Sequence, residues 1–313
     1  MKLTDTEKVT PEALFLSRRK FLKLAGILGV SAALAACGIQ PQTETSTATG
    51  VPITGVLENT PFPGDTLTPY ELVTNYNNFY EFSLNKEDVA QKAANFKTSP
   101  WQFTVSGLVN NPISLDVSEL IKKYVIEERV YRMRCVEGWS MVIPWLGFPL
   151  QKLLAEAGVR SDAKYVKFTT PYDHDQFPND GAYGFAWPYT EGLRLDEAQH
   201  DLTLLAIGLY GKALPPQDGA PIRLVVPWKY GFKSVKSING IELVSEQPQT
   251  FWSSASPTEY GFFANVNPAV PHPRWAQDTE RRIGELERRP TELFNGYSEV
   301  AFLYEGMDLV KNF

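Results

Sequence analysis

The stretch from Tyr131 to Leu150 reads Tyr-Arg-Met-Arg-Cys-Val-Glu-Gly-Trp-Ser-Met-Val-Ile-Pro-Trp-Leu-Gly-Phe-Pro-Leu and carries Cys135 near its centre. Residues 127–134 mix charged and apolar side chains, which predicts a strand, and Gly138 is a residue type that ends one. Cys135 is therefore expected where a strand gives way to a loop, a common place for chemistry held on a rigid scaffold. Pro144 and Pro149 are expected to punctuate the segment that follows.

Cysteine use makes this position unusual. The chain has two cysteines, and the other, Cys37, belongs to the export signal described below. A lone cysteine in a protein sent to an oxidising compartment is buried, paired between molecules, or used. A soft metal would hold such a thiolate and keep it from oxidation. On residue type alone a buried structural cysteine is the commoner outcome, so both interpretations stay open here.

Composition indicates a loop-rich α+β protein with a real core, because 43% of the 313 residues are hydrophobic and 23 Pro accompany 22 Gly. The formal net charge is -6. Residues 1–37 carry six basic and three acidic side chains, or +3, so the remainder carries -6 minus 3, or -9. An acidic mature chain argues against nucleic acid as a partner.

The N-terminus predicts a twin-arginine export signal over residues 1–37. Ser-Arg-Arg-Lys-Phe-Leu-Lys at 17–23 precedes an apolar run, 24–36, which is too short to span a membrane. Leu-Ala-Ala before Cys37 fits either lipidation of that cysteine or ordinary cleavage. We expect a periplasmic protein or one on the outer face of the cytoplasmic membrane, with membrane contact only through a lipid on Cys37.

Residues 38–69 are rich in Thr, Ser, Pro and Gln without periodicity, which predicts a flexible linker. The folded domain is expected over residues 70–313. Helices are predicted over 86–96, from Asp116 to Tyr124, and between Pro149 and Gly158. Strands are predicted over 101–109, 164–169, 202–210 and 222–226.

Positive charge is concentrated late in an otherwise acidic chain. Arg223, Lys229, Lys233 and Lys236 surround glycine and serine residues, which favours an anion-binding segment. A solvated basic face is the alternative interpretation.

Residues 134–150 resemble the molybdenum-ligating segment of the protein-methionine-sulfoxide reductases, periplasmic members of the sulfite-oxidase-type molybdoenzymes. The stretches that agree with this family in the same order are Tyr76 to Phe82, Pro215 to Ser237, Tyr260 to Trp275, and Thr279 to Glu285 with Phe294-Asn295-Gly296-Tyr297. The resemblance covers residues 70–313. It implies one mixed α+β domain wrapped around a molybdenum–molybdopterin cofactor, without a haem domain. We expect a monomer.

The resemblance also assigns site residues. Cys135 matches the thiolate that ligates molybdenum, and Glu137 is a candidate to tune the metal or relay protons. The positions that match those holding molybdopterin are Asn77, Tyr80, Glu81, Thr170, Arg223, Ser234, Val235 and Lys236. Asp218 stands where the family carries Asn, and an ionised carboxylate cannot donate the hydrogen bond that an amide can. Arg223 and the 234–236 turn, with its N–H groups, are expected at the cofactor phosphate.

The implied activity is removal of oxygen from methionine sulfoxide, free or in oxidised exported proteins, which would repair them. The sequence has no C-x-x-C-H motif for haem, so a partner must supply electrons. In the family that partner is a haem-containing membrane protein fed by quinol. Two alternatives remain: a sulfite-oxidase-like enzyme with electron flow reversed, and a non-catalytic, lipid-anchored binding protein on the same scaffold.

Overall fold

The computed structural model describes residues 58, 59, 62, 64–179 and 184–313. The export signal predicted for residues 1–37, with Cys37, lies outside these residues, as does most of the predicted linker. Among the described residues, no helix combines the length and the apolar character needed to cross a membrane.

Short helices and many strands alternate along the described chain. The strands are β1 (Glu58–Asn59), β2 (Gln102–Gly107), β3 (Ile113–Asp116), β4 (Glu127–Arg134), β5 (Trp139–Pro149), β6 (Tyr165–Thr169), β7 (Thr190–Arg194), β8 (Leu204–Leu209), β9 (Lys212–Ala213), β10 (Arg223–Val225), β11 (Gly240–Val244), β12 (Thr279–Arg282) and β13 (Arg288–Pro290). The helices are α1 (Tyr70–Thr74), α2 (Val89–Lys92), α3 (Val117–Lys122), α4 (Leu150–Ala157), α5 (Leu195–Ala198) and α6 (Phe251–Ala255). Four 3-10 turns cover Pro216–Asp218, Gly231–Lys233, Leu293–Gly296 and Ser298–Tyr304. The mixed α+β class predicted from the sequence is confirmed.

Two mixed sheets organise these elements. The larger sheet centres on β5, which pairs antiparallel with β4 along one edge. Along the other edge it pairs parallel with β12 near its start and antiparallel with β8 near its end. β1 extends it beyond β4, β13 beyond β12, and β9 and β10 beside β8. The smaller sheet runs β3-β2-β11-β6-β7. One buried hydrophobic cluster takes side chains from both sheets, including Tyr131 and Leu205 from the larger and Phe103 and Val166 from the smaller.

The segment after Cys135 is more regular than its prolines suggested. All eleven residues of β5 are buried, and Pro144 lies in the middle of the strand. Hydrogen-bonded pairs with β4 alternate along an antiparallel ladder, and Pro144 opposes Val130 at one of the pairs that exchange no hydrogen bonds. The backbone polar groups of Pro144 point away from β4. On that side its carbonyl accepts a hydrogen bond from Tyr210 N at 3.0 Å, and the ladder with β4 needs no N–H from Pro144. Proline is therefore tolerated inside this central strand.

Asp65 and Thr68, which lie within the predicted linker, contact the larger sheet. Thr68 is buried and exchanges two hydrogen bonds with Val142 on the free edge of β5, both at 3.0 Å. Asp65 pairs with Arg132 at 2.6 Å. These contacts are long-range, and the polar composition of residues 38–69 gave no sign of them.

Of the helices predicted from local sequence, one agrees with the structure at its end and another is much shorter than predicted. Gly158, at φ +67°, closes α4 as predicted from Pro149 and Gly158. The helix predicted over 86–96 is reduced to the four residues of α2. Lys86 lies before it and is almost fully buried, because its side chain belongs to the site described next.

Candidate active site

Cys135 begins the tight turn that joins β4 to β5. Its N–H donates to Trp139 O at 2.9 Å, and its carbonyl accepts from Gly138 N at 3.0 Å. Gly138 has φ +84°, a conformation that side-chain-bearing residues rarely adopt. The turn therefore fixes the cysteine backbone at both of its polar groups, as expected for a strand that ends at Arg134.

The hairpin forms one wall of a cavity. Every second residue from 133 to 145 lines it: Met133, Cys135, Glu137, Trp139, Met141, Ile143 and Trp145. This period of two is that of side chains on one face of a strand. The cavity encloses about 1000 Å³ of space including its open mouth. Its other walls come from the segments 76–81 and 231–236, with Tyr189, Asp218, Arg223, Trp252 and Tyr260.

The Cys135 sulfur lies among polar groups within this cavity. Asn78 Nδ2 is 3.5 Å from Sγ, and Glu137 Oε2 is 3.7 Å from it. Cys135 is 6% exposed and is the one cysteine of the described ranges. Burial, and then the Glu137 carboxylate, raise the pKa of the thiol to about 12. Without a cation on the sulfur, the proton would stay on it at neutral pH.

Glu137 is held by three donors. Lys86 Nζ lies 2.9 Å from Oε2, Trp139 Nε1 donates to Oε2 at 3.1 Å, and Asn78 Nδ2 donates to it at 3.2 Å. Burial opposes ionisation, but the Lys86 ammonium and these hydrogen bonds outweigh it and lower the pKa of Glu137. The carboxylate is therefore ionised at neutral pH and accepts hydrogen bonds or protons.

A second polar group lies across the cavity at Asn77 and Asp218. Asn77 Nδ2 donates to Val73 O at 3.1 Å and to Asp218 Oδ1 at 2.7 Å. Burial raises the pKa of Asp218 to about 6, against the opposing pull of Lys236 and Arg223. Asn77 Oδ1 and Asp218 Oδ2 are buried acceptors without a hydrogen-bond partner among the described residues.

Two cations line the same side. Arg223 donates to Asp218 O at 2.9 Å and to Ser234 O at 3.0 Å, and Lys236 Nζ donates to the carbonyls of Asn78 and Gln217. Within the described part of the chain, neither cation forms a salt bridge. Burial lowers the pKa of Arg223 to about 10 and that of Lys236 to about 7. Both cations would gain from an anion placed between them.

The other two cations of the predicted anion-binding segment serve the fold instead. Lys229 Nζ pairs with Glu197 at 2.6 Å, and Lys233 Nζ pairs with Glu191 at 2.6 Å. All four side chains are at most 1% exposed. Of the basic segment, only Arg223 and Lys236 reach the cavity.

Most of the residues assigned by the resemblance come together here. Asn77, Tyr80, Glu81, Cys135, Glu137, Asp218, Arg223, Ser234, Val235 and Lys236 all line the cavity. Thr170 does not; its hydroxyl donates to Tyr189 O at 3.3 Å, and Tyr189 lines the cavity in its place. The N–H groups of Ser234 and Val235 donate to Gly231 O and Lys233 O, so they are already engaged.

Sequence reasoning missed three residues of the site. Asn78 and Trp139 both contact the Glu137 carboxylate, and they are sequence neighbours of residues that were singled out. Lys86 lies 51 positions before Glu137 and carried no local signal. Aromatic side chains of Trp252 and Tyr260, 4.9 Å apart between ring centres, complete the wall opposite the hairpin.

This fold and cavity define a class of protein: an α+β domain in which a buried thiol shares a cavity with unpaired buried cations, suited to a large anionic cofactor beside a cysteine-bound metal. The family model described as the oxidoreductase molybdopterin binding domain matches residues 90–252, just over half of the chain. The chain belongs to this family, and its fold is that of a single sulfite-oxidase-type molybdopterin-binding domain.

One solved structure similar to the chain is the sulfane dehydrogenase SoxCD from Paracoccus pantotrophus. The two share 19% sequence identity with a TM-score of 0.45, over 60% of this chain and 48% of that one. The chain thus matches about half the length of that protein.

The residues present fit molybdopterin. The cofactor carries a phosphate, which suits Arg223 and Lys236, and a pterin with N–H donors, which suits the unpartnered acceptors Asn77 Oδ1 and Asp218 Oδ2. Among the described residues, no group of three His, Cys, Asp or Glu side chains could hold a metal ion. Cys135 is the one thiol among the described residues of the cavity, so it is the side chain that would offer a soft metal its sulfur ligand, with further ligands from the cofactor.

Proposed function

We propose that the chain is a molybdenum-dependent reductase that removes oxygen from methionine sulfoxide in exported proteins. The observation that carries the proposal is the Cys135 sulfur, which opens on a cavity that also exposes Arg223 and Lys236. Molybdenum bound to molybdopterin supplies the two-electron redox chemistry that oxygen-atom removal needs. The chain supplies the sulfur ligand, the anion site for the phosphate, and the walls of the substrate space.

The charge beside Cys135 favours a neutral substrate over sulfite. Glu137 Oε2 lies 3.7 Å from Sγ and is ionised, and its partner Lys86 is occupied by the carboxylate. Glu137 lines the cavity and Lys86 does not, so an anion approaching the sulfur would meet the carboxylate first, and the ammonium behind it would offset only part of the repulsion. A sulfoxide carries no net charge and avoids the penalty.

The lining also suits a thioether-like group. Met133, Met141 and Trp139 lie on the hairpin wall, with Trp252 and Tyr260 opposite. Sulfur–aromatic contacts are favourable by about 0.3–1.5 kcal/mol each. The oxygen taken from a sulfoxide needs two electrons and two protons to leave as water, and Glu137, beside Lys86 and the Cys135 sulfur, would relay protons towards it.

We further propose export by the twin-arginine route and electron delivery by a haem-containing, quinol-linked membrane partner. The support is the N-terminal Arg18-Arg19 motif and the absence of a haem-attachment motif from the sequence. A lipid on Cys37 would raise the local concentration of such a partner.

Steady-state kinetics separate the two enzyme candidates. The protein expressed with its own signal should turn over methionine sulfoxide with a reduced dye faster than it turns over sulfite with an oxidised acceptor. Faster turnover with sulfite would overturn the substrate assignment. A non-catalytic binding protein would contain no molybdenum by elemental analysis.

A variant pair tests the metal ligand. Cys135→Ala should lose turnover and bound molybdenum while keeping its far-UV circular dichroism, because only the side chain is removed and the turn uses main-chain groups. Met307→Leu, a volume-conserving change at a side chain that packs on the core outside the cavity, is the control and should retain both. Full activity in Cys135→Ala would refute ligation by this sulfur.

A further inference from the structure

Asn78 links the two halves of the cavity. Its side-chain Nδ2 lies 3.5 Å from Cys135 Sγ and 3.2 Å from Glu137 Oε2. Its main-chain carbonyl accepts a hydrogen bond from Lys236 Nζ at 3.0 Å. One residue therefore contacts the sulfur, the carboxylate beside it, and the Lys236 ammonium.

The chemistry of these contacts fixes what the side chain does. A thiolate and an ionised carboxylate are both acceptors, and a primary amide carries two N–H donors on one nitrogen. Asn78 can therefore satisfy both anionic groups at once with its NH₂. Its carbonyl oxygen is buried and has no hydrogen-bond partner among the described residues. Leaving this buried carbonyl oxygen unpaired costs free energy, and the hydrogen bonds from Nδ2 to the two anionic groups would offset that cost.

A hydrogen bond to a metal-ligating sulfur changes the metal. The donor draws electron density from the sulfur, so the sulfur gives less to the metal, and the more electron-rich, reduced state is favoured. Glu137 acts in the opposite sense, because its negative charge opposes reduction of a nearby metal. Asn78 donates towards both groups, so it weakens electron donation by the sulfur and partly offsets the Glu137 charge, and both changes favour the reduced metal.

We propose that Asn78 is a positioning residue that donates a hydrogen bond to the Cys135 sulfur and raises the reduction potential of the bound molybdenum. The inference rests on the ligation by Cys135 proposed above. It does not depend on which sulfur compound the enzyme reduces.

Two substitutions separate hydrogen bonding from charge. Asn78→Leu removes the donor with little change of volume or charge, and Asn78→Asp also removes it but adds a negative charge. Both keep the main-chain carbonyl that holds Lys236. Asn75→Leu is the matched control, since Asn75 is exposed and its amide bonds only to Glu71 O and Thr74 Oγ1.

The measurement is a redox titration of the purified, metal-loaded enzyme, followed by electron paramagnetic resonance of the molybdenum. At a fixed potential the oxidised-to-reduced ratio should rise about tenfold in Asn78→Leu, which is a fall of about 59 mV for a one-electron couple. The reduction potential should fall further in Asn78→Asp, and that of Asn75→Leu should equal the potential of the parent enzyme. An unchanged potential in Asn78→Leu, or a shift in Asn78→Asp alone, would overturn the proposal.

A second measurement needs no substitution. In the parent enzyme labelled with ¹⁵N-asparagine, pulsed paramagnetic resonance should detect a ¹⁵N coupling to the metal through the N–H···S contact, and the absence of any coupling would overturn the proposal even where a variant fails to load metal. If the parent enzyme gave no paramagnetic resonance signal from molybdenum, the proposed function itself would be wrong. A parent enzyme with the signal but without sulfoxide turnover would sink only the substrate.

Discussion

Replacing Lys229 with Met should destabilise the protein severely, but the protein that remains folded should keep its bound molybdopterin. Lys229 Nζ lies 2.6 Å from Glu197 Oε1, 2.7 Å from Phe263 O and 2.9 Å from Asn265 Oδ1. Both ionic side chains are at most 1% exposed. Removing the ammonium leaves a buried carboxylate without its counter-charge, which costs about 3–5 kcal/mol.

A double-substitution cycle isolates the ionic part of that cost. Lys229→Met with Glu197→Gln removes both charges, so the remaining loss should be about 1–3 kcal/mol from the acceptors that lose the ammonium, Phe263 O and Asn265 Oδ1. The double variant should therefore be more stable than Lys229→Met alone. The interaction energy from the cycle should be about 2 kcal/mol or more in magnitude.

Urea unfolding monitored by tryptophan fluorescence at pH 7 is the assay. Lys122→Met is the control, because Lys122 and Glu119 form a 2.7 Å pair whose side chains are 68% and 58% exposed. That exposed pair is expected to contribute less than about 0.5 kcal/mol. If Lys229→Met cost no more than Lys122→Met, or lost its molybdopterin while still folded, the assignment of Lys229 to the fold rather than to the anion site would be wrong.

Three further outcomes are expected. Gly219→Ala should lose about 1–3 kcal/mol of unfolding free energy and bound pterin, since Gly219 has φ +97° and a Cβ there would lie 2.8 Å from Lys236 Cβ; a stable, pterin-replete variant would contradict this. Lys236→Met should lower pterin content, measured by fluorescence after release, roughly tenfold or more relative to the exposed control Lys212→Met. Burial lowers the pKa of His272 to about 4 from 6.5. The stability due to its neutral form is therefore complete above pH 6.5 and is lost as the pH falls through about 4, so His272→Gln should flatten the parent's profile of unfolding free energy against pH in that window; parallel profiles would argue against it.

The local parts of the fold could be predicted from the sequence because their causes are local. The end of β4 at Arg134, the turn at Gly138 and the helix between Pro149 and Gly158 follow from strand pattern and residue conformation. The alternation from Met133 to Trp145 was not predicted, because both faces of β5 are apolar and Pro144 was expected to interrupt the segment.

The misplaced parts depend on partners distant in sequence. Asn77 and Asp218 meet across 141 positions, and Lys86 and Glu137 across 51, so no window of sequence could show either pair. Lys229 and Lys236 look equivalent in a basic segment, yet only Lys229 finds a buried carboxylate. Resemblance supplied the site residues that periodicity could not, and it missed Asn78, whose role depends on where its side chain ends.

The alternating wall from Met133 to Trp145 has a consequence for how this protein can change. A point substitution at one of those positions changes one side chain of the cavity wall and leaves the strand pairing of the sheet unchanged. A single residue inserted or deleted within β4 or β5 would instead move the side chains beyond the change to the other face of the strand, and a change in β4 would also turn the Cys135 sulfur away from the cavity. Variants of this protein should therefore tolerate substitutions in these strands but not one-residue insertions or deletions. A folded, active variant with one residue deleted within 133–145 would show that the strand register is not required.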